Sequence, residues 1–124
     1  MIVETLREYC LAKKEVTESM PFDEFTLVFK VCNKMFLLIS LDTDFITLKC
    51  DPDKAIELRE RYPAVIPGYH MNKAQWNTVA LDNTIPPPLI LEWIDDSYTL
   101  IVQKLPKKVR ETLSLRDFRY SSHH

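Results

Sequence analysis

The spacing of hydrophobic residues along the chain separates helical segments from extended ones. Ile2, Leu6, Tyr9 and Cys10 recur at helical spacing, which predicts an amphipathic helix at the start of the chain. Three later segments, FTLVFKV, KMFLLISL and FITLKC, are rich in β-branched and aromatic residues and contain no Gly or Pro, so we predict a strand in each. The polar stretch VTESMPFDE, which lies between the helix and these strands, is predicted to be a loop.

Turn and helix-start signals divide the rest of the chain. Cys32–Asn33 and the DTD segment at 42–44 fall where the three strands need tight turns. Asp51-Pro52 predicts a helix start, because Asp can cap free amides and Pro fits the first helical position, and this helix is expected to stop before Pro63. QWNTVAL is predicted to be a further strand, and the longest amphipathic helix is predicted between about Pro88 and Leu105.

These elements, in this order, favour an α+β fold. We expect an antiparallel sheet with the N- and C-terminal helices packed on one face, which leaves the other face partly open as a binding platform. One domain is predicted over residues 1–108, followed by a C-terminal extension over residues 109–124 in which His123 and His124 are candidates for tag residues.

Composition and charge argue against several classes of protein. The chain has 124 residues. Its net charge of −2 argues against a protein that binds nucleic acid through a large excess of positive side chains. Cys10, Cys32 and Cys50 form no CxxC pair and no cluster with histidine, so neither a disulfide framework nor a zinc site is predicted. The start of the chain carries acids where a signal peptide is basic, and no apolar run is long enough to cross a bilayer. We therefore expect a cytoplasmic protein that does not contact membranes.

The sequence contains no motif that is typical of an enzyme. GxSxG, GxGxxG, Walker and HExxH patterns do not occur, and the single glycine argues against a backbone loop that cradles phosphate. The neighbouring carboxylates Asp95 and Asp96 diverge on a helix and so do not form a catalytic dyad. We expect a non-catalytic protein with no metal and no cofactor.

The segment PGYHMNKAQWNTV has the most concentrated polar chemistry in the chain. Gly68 is the only glycine and suits a turn that needs a left-handed or otherwise strained backbone. Hydrogen-bonding groups, a cation and an indole ring follow within a few residues, a mixture that can contact phosphates and stack on a base; the residues concerned are His70, Asn72, Lys73, Trp76 and Asn77. In the alternative interpretation, His70 and Asn72 hold the loop together and Trp76 fills the edge of the core.

Most of the chain resembles the MmcQ/YjbR family. The resembling stretches are LREYCL, TLVFKV with KMFLLISL, the long block LKCDPDKAIELRERYPAVIPGYHMNKAQWNTVAL, and IDDSYTLIVQKLPKK. The resemblance implies a frataxin-like (CyaY-like) fold with a twisted antiparallel sheet, whose hairpins have been likened to a double wing and whose members are commonly called DNA-binding. Family members often have glycine in the first hairpin turn and Leu-Pro-Gly after the first helix, where this chain has Cys32–Asn33 and Ala12-Lys13-Lys14.

Three hypotheses about function follow. In the first, the chain binds double-stranded DNA through its hairpin wings and open sheet face, and the resemblance implies that Lys30, Lys34 and Lys49 join the loop residues in that interface. In the second, a protein or small ligand binds the same face with His70 and Trp76 as anchors. In the third, which borrows from frataxin, Glu4 and Glu8 of the first helix bind iron weakly.

Overall fold

The part of the chain that the structure describes contains six strands and four helical segments. The computed structural model describes residues 3–68 and 71–113. In chain order the elements are α1 (Val3–Leu11), β1 (Val16–Ser19), β2 (Thr26–Val31), β3 (Lys34–Ser40), β4 (Phe45–Lys49), α2 (Pro52–Arg61), β5 (Val65–Pro67), β6 (Trp76–Ala80) and α3 (Pro87–Gln103). Residues 107–113 are also helical.

The strands form one antiparallel sheet in the order β1-β2-β3-β4-β6-β5. Every neighbouring pair is antiparallel, and a register shift between Phe29 and Lys30 marks a bulge in the β2–β3 pair. The α+β fold with an open antiparallel sheet, predicted from the sequence, is confirmed.

The helices cover one face of the sheet. That face is apolar because alternate strand residues point toward the helices; its fully buried members include Phe29, Val31, Leu37, Ile39 and Ile46. Asp95 of α3 joins the two terminal helices, since it accepts hydrogen bonds from the Tyr9 hydroxyl at 2.8 Å and from Lys13 Nζ at 2.5 Å. The packed core continues past the predicted domain boundary at residue 108, because Leu113 is 2% exposed and belongs to it.

Two strands were not expected from the pattern. Residues 16–19 were predicted to be a loop, but they form β1, an edge strand in which Glu18 pairs with Arg7 of α1. The short β5 was also missed, because Val65–Pro67 offers only three residues and ends in proline. The cap at Asp51 is confirmed: its carboxylate accepts hydrogen bonds from the amides of Asp53 and Lys54.

Among residues 3–68 and 71–113, no helix combines the length and the apolar character that a membrane span requires.

Candidate nucleic-acid interface

Two hairpin connections lie at the same end of the sheet. The β2–β3 turn is made by Cys32 and Asn33, with φ values of 48° and 67°, as a tight hairpin turn requires. The β5–β6 connection spans residues 68–75 and lies at this end too, because Lys49 at the end of β4 pairs with Trp76 at the start of β6. The strand register therefore brings together two loops that are about 40 residues apart in the sequence.

The lysines predicted as candidate DNA contacts converge on this end. Lys30 lies on the helix-free face opposite Thr17 and Met35, whereas Lys34 follows the β2–β3 turn and Lys73 lies in the β5–β6 loop, both exposed. Further lysines lie at the same end. Lys14 lies there because it comes just before β1, which begins at this end. Three others lie there because they follow α3, which ends at this end; they are Lys104, Lys107 and Lys108. We call this end, with its loops and these lysines, the basic end.

The opposite end of the sheet is acidic. Its connections span residues 20–25, 41–44, 62–64 and 81–86, and none of them contains Lys or Arg. They carry five carboxylates: Asp23, Glu24, Asp42, Asp44 and Asp82. We call this end, defined by these four connections, the acidic end.

Trp76 lies on the helix-free face but is only 6% exposed. It forms a second, small apolar cluster with Val28 and Leu38, and Met35 and Met71 pack against it. The ring therefore has little surface on which a base could stack or a ligand could anchor. Trp76 is therefore a packing residue, as in the alternative interpretation, but it packs in a separate cluster on the helix-free face and not at the edge of the main core.

Lys49 is held within the protein. Its ammonium group donates to Gln75 Oε1 and lies 5.3 Å from the centre of the Trp76 ring, which is a cation–π geometry. Burial, and to a smaller extent the charge of Lys104, lowers the pKa of Lys49. Lys49 thus holds Gln75, the last residue of the β5–β6 loop, and its charge is less available to a phosphate than that of an exposed lysine.

Gly68 is needed for a different reason from the one predicted. Its φ is not positive, so no left-handed backbone is involved. Its amide instead donates to the Trp76 carbonyl at 2.9 Å, and a Cβ at residue 68 would lie 2.8 Å from Trp76 Cβ and 3.1 Å from that carbonyl oxygen. Glycine is required here because two strands approach closely.

The remaining predicted residues fall in three places. Asn72 is exposed and its side chain accepts a hydrogen bond from the Ala74 amide at 3.0 Å, which shapes the loop near Lys73. Asn77 lies on the helix-covered face and is 2% exposed, so the sheet separates it from the other candidates. His70 lies outside the described residues.

The sequence interpretation missed the contribution of the basic segment after α3. Lys108 lines a cavity with Glu15 and Cys32, which places the start of this segment beside the β2–β3 turn. The run KKVR after α3 was the available signal, but its position relative to the β2–β3 turn depends on how many elements lie between them, and one of these, β5, had not been predicted.

The iron hypothesis gains no geometric support. Glu4 pairs with Arg7 at 3.0 Å. Within residues 3–68 and 71–113, no three His, Cys, Asp or Glu side chains gather in an arrangement that could hold a metal ion.

Comparisons with known proteins agree on one family. A family model described as YjbR matches residues 11–100. The uncharacterized protein YbdF of Escherichia coli O157:H7 is 37% identical over 107 residues, which cover 85% of this chain and 88% of that protein. The uncharacterized protein YjbR of Escherichia coli K12 is 33% identical over 115 residues, covering 91% and 98% of the two chains. The crystal structure of a Deinococcus radiodurans protein with a DUF419 domain has a TM-score of 0.85 at 39% identity, covering 90% of this chain and 87% of that one.

Proposed function

The chain belongs to the YjbR family, and we propose that it is a non-catalytic protein that binds duplex DNA through its basic end. The observation that carries this proposal is the separation of charge along the sheet. Lysines from both hairpins and from the segment after α3 gather at one end, while five carboxylates occupy the connections at the other.

The distance between the two ends supports an independent electrostatic role for each. β2 contains six residues, so the sheet spans about 20 Å along its strands. The Debye length at physiological ionic strength is about 8 Å, so the carboxylates of the acidic end are screened from a polyanion at the basic end. A chain with net charge −2 can therefore still present a cationic surface.

The two hairpins supply the geometry of the proposed contact. Lys34 begins β3 beside the first hairpin turn, Lys73 lies in the second hairpin loop, and Lys30 lies on the helix-free face of β2. Contacts of this kind position a protein on phosphates without reading base sequence, so affinity is expected to be weak, with Kd about 10⁻⁴ to 10⁻⁶ M at physiological salt.

Fluorescence anisotropy of a short labelled duplex tests the proposal. If three lysines neutralise phosphates, log K is expected to fall with log salt at a slope of about −3 between about 50 and 200 mM salt. Lys34→Gln is expected to weaken binding and to reduce the slope by about one, because it removes one phosphate contact.

Arg61→Gln is the matched control. Arg61 is exposed in the last turn of α2, near the acidic end, so its loss changes the net charge by the same amount in a different place. Equal effects of the two substitutions, or a duplex that is not retained at about 50 mM salt, would show that the basic end is not a DNA-binding surface.

A further inference from the structure

A cleft opens between α2 and α3 on the helix-covered side of the sheet. Its volume is about 260 Å³, and β4 and β6 form its floor. The cleft lies on the other side of the sheet from Lys30 and Trp76, so it does not belong to the proposed DNA interface.

Asn77 is a buried polar residue among those that line this cleft. Its side-chain amide donates to the Ala55 carbonyl of α2 at 3.2 Å, which identifies Oδ1 as the remaining acceptor. Oδ1 is buried and accepts no hydrogen bond from any residue in the described part of the chain. A buried acceptor without a donor is costly, because it loses its hydrogen bonds to water on folding and gains none in exchange.

The other lining groups are largely apolar or already satisfied. Leu58, Trp93 and Leu100 form apolar walls. The Ser97 hydroxyl lies 2.5 Å from the Lys49 carbonyl, to which it donates. Burial raises the pKa of the Cys50 thiol to about 11, so this group is uncharged near neutral pH and is a poor nucleophile.

The mouth of the cleft is polar. Lys54 at the start of α2 and Asp96 of α3 are exposed at the rim and carry opposite charges. An apolar chamber with one deep acceptor and a charged rim is the usual arrangement of a small-ligand site, and a volume below about 300 Å³ limits the ligand to a compact molecule.

We propose that the cleft binds a compact, largely apolar aromatic molecule whose N–H or O–H group donates a hydrogen bond to Asn77 Oδ1. The ring lies against the walls formed by Leu58, Trp93 and Leu100, and any polar substituent lies toward the rim. Binding satisfies the one buried acceptor in the cleft that the described residues leave without a donor.

Indole and 1-methylindole form a matched pair of probes, because they have similar shape and only indole has an N–H donor. In an NMR titration, indole is expected to produce saturable shifts of the Trp93 side-chain N–H signal. The chain has two tryptophans, and the Trp76 signal is an internal control because that ring lies on the other side of the sheet. 1-Methylindole is expected to bind about tenfold more weakly, since it leaves Oδ1 without a donor.

Two substitutions on neighbouring residues of β6 sharpen the test. Asn77→Val removes the acceptor and is expected to abolish the difference between the two probes. Thr78→Val changes the adjacent residue, which lies on the helix-free face and contacts Thr47, and is expected to preserve that difference. If Asn77→Val does not fold, Leu100→Trp, which fills the cleft, is expected to prevent the binding of both probes.

The proposal is overturned if indole gives no saturable shift at millimolar concentration, if the two probes bind equally to the unmodified protein, or if Trp76 responds as strongly as Trp93. None of these results depends on whether the protein binds DNA.

Discussion

The basic and acidic ends of the sheet differ in charge and also in how exposed their aromatic side chains are. At the basic end, Trp76 is only 6% exposed, because Met71 packs on it and the Lys49 ammonium group lies over its ring. The acidic end instead exposes large apolar side chains, among them Phe22 at 63% and Phe25 at 51%. One end therefore presents cations beside a buried tryptophan, whereas the other presents carboxylates beside exposed aromatic rings.

This difference arises from strand order. In an antiparallel sheet, successive connections alternate between the two ends, so residues that are distant in sequence gather at one end. Lys34 and Lys73 converge in this way, as do Asp23, Asp44 and Asp82 at the other end. The net charge of −2 is the sum over both ends of the sheet, so it gives no indication that lysines lie at one end and carboxylates at the other.

The largest expected effect comes from inverting charge at the basic end. Lys34→Glu combined with Lys73→Glu is expected to weaken duplex binding by about a hundredfold or more at about 50 mM salt, because two attractive phosphate contacts become repulsive. Anisotropy with a labelled duplex measures the change.

The control inverts two cations near the acidic end. Arg59→Glu combined with Arg61→Glu changes the net charge equally, and circular dichroism checks that both proteins remain folded. If the two double variants lose affinity to the same extent, net charge rather than the basic end controls binding.

A smaller effect is expected from Gly68→Ala. The new methyl group would collide with Trp76 Cβ and with backbone atoms that cannot move aside, so the free energy of unfolding is expected to fall by about 1–3 kcal/mol. Urea denaturation measures this change.

Ala74→Ser is the control in the same loop. Ala74 is exposed, so this substitution is expected to change the free energy of unfolding by less than about 0.5 kcal/mol. A Gly68→Ala protein as stable as the unmodified one would mean that the close approach of residue 68 to Trp76 does not constrain the loop.

The smallest effect is expected at the acidic end. Glu24→Gln, Asp42→Asn and Asp44→Asn together remove three of its charges; Asp44 has φ 53°, a conformation that Asn also tolerates. At about 50 mM salt, duplex association is expected to become about twofold to fivefold faster, because the longer screening length lets the remote carboxylates repel DNA.

Stopped-flow fluorescence at two salt concentrations measures this rate. The acceleration is expected to disappear at about 200 mM salt. An acceleration that persists there would mean that these carboxylates act at short range, within the binding surface itself.

Much of the fold could be predicted because local patterns agree with it. Strand-forming segments, the Asp51-Pro52 start signal and the amphipathic pattern of α3 each identified an element. β1 was missed because an edge strand with one half-buried face and polar residues such as Thr17 and Glu18 resembles a loop in composition.

The candidate site was less predictable because it depends on register and packing. Nothing local distinguishes Trp76 from an exposed ring, and its burial depends on Met35 and Met71 from other segments. Asn77, one residue further on, lies on the opposite side of the sheet, since strand residues alternate between faces. The sequence of this segment alone therefore does not show that Trp76 and Asn77 lie on opposite faces of the sheet.

Backbone and side-chain NMR shifts during a titration with generic duplex DNA test the central claim most directly. At about 50 mM salt, the amides of residues 32–34 and 71–75 and the Trp76 side-chain N–H are expected to shift, while the amides of residues 41–44 and the Trp93 side-chain N–H remain unchanged. Shifts centred on residues 41–44, or no shifts at all at this salt concentration, would contradict DNA binding at the basic end.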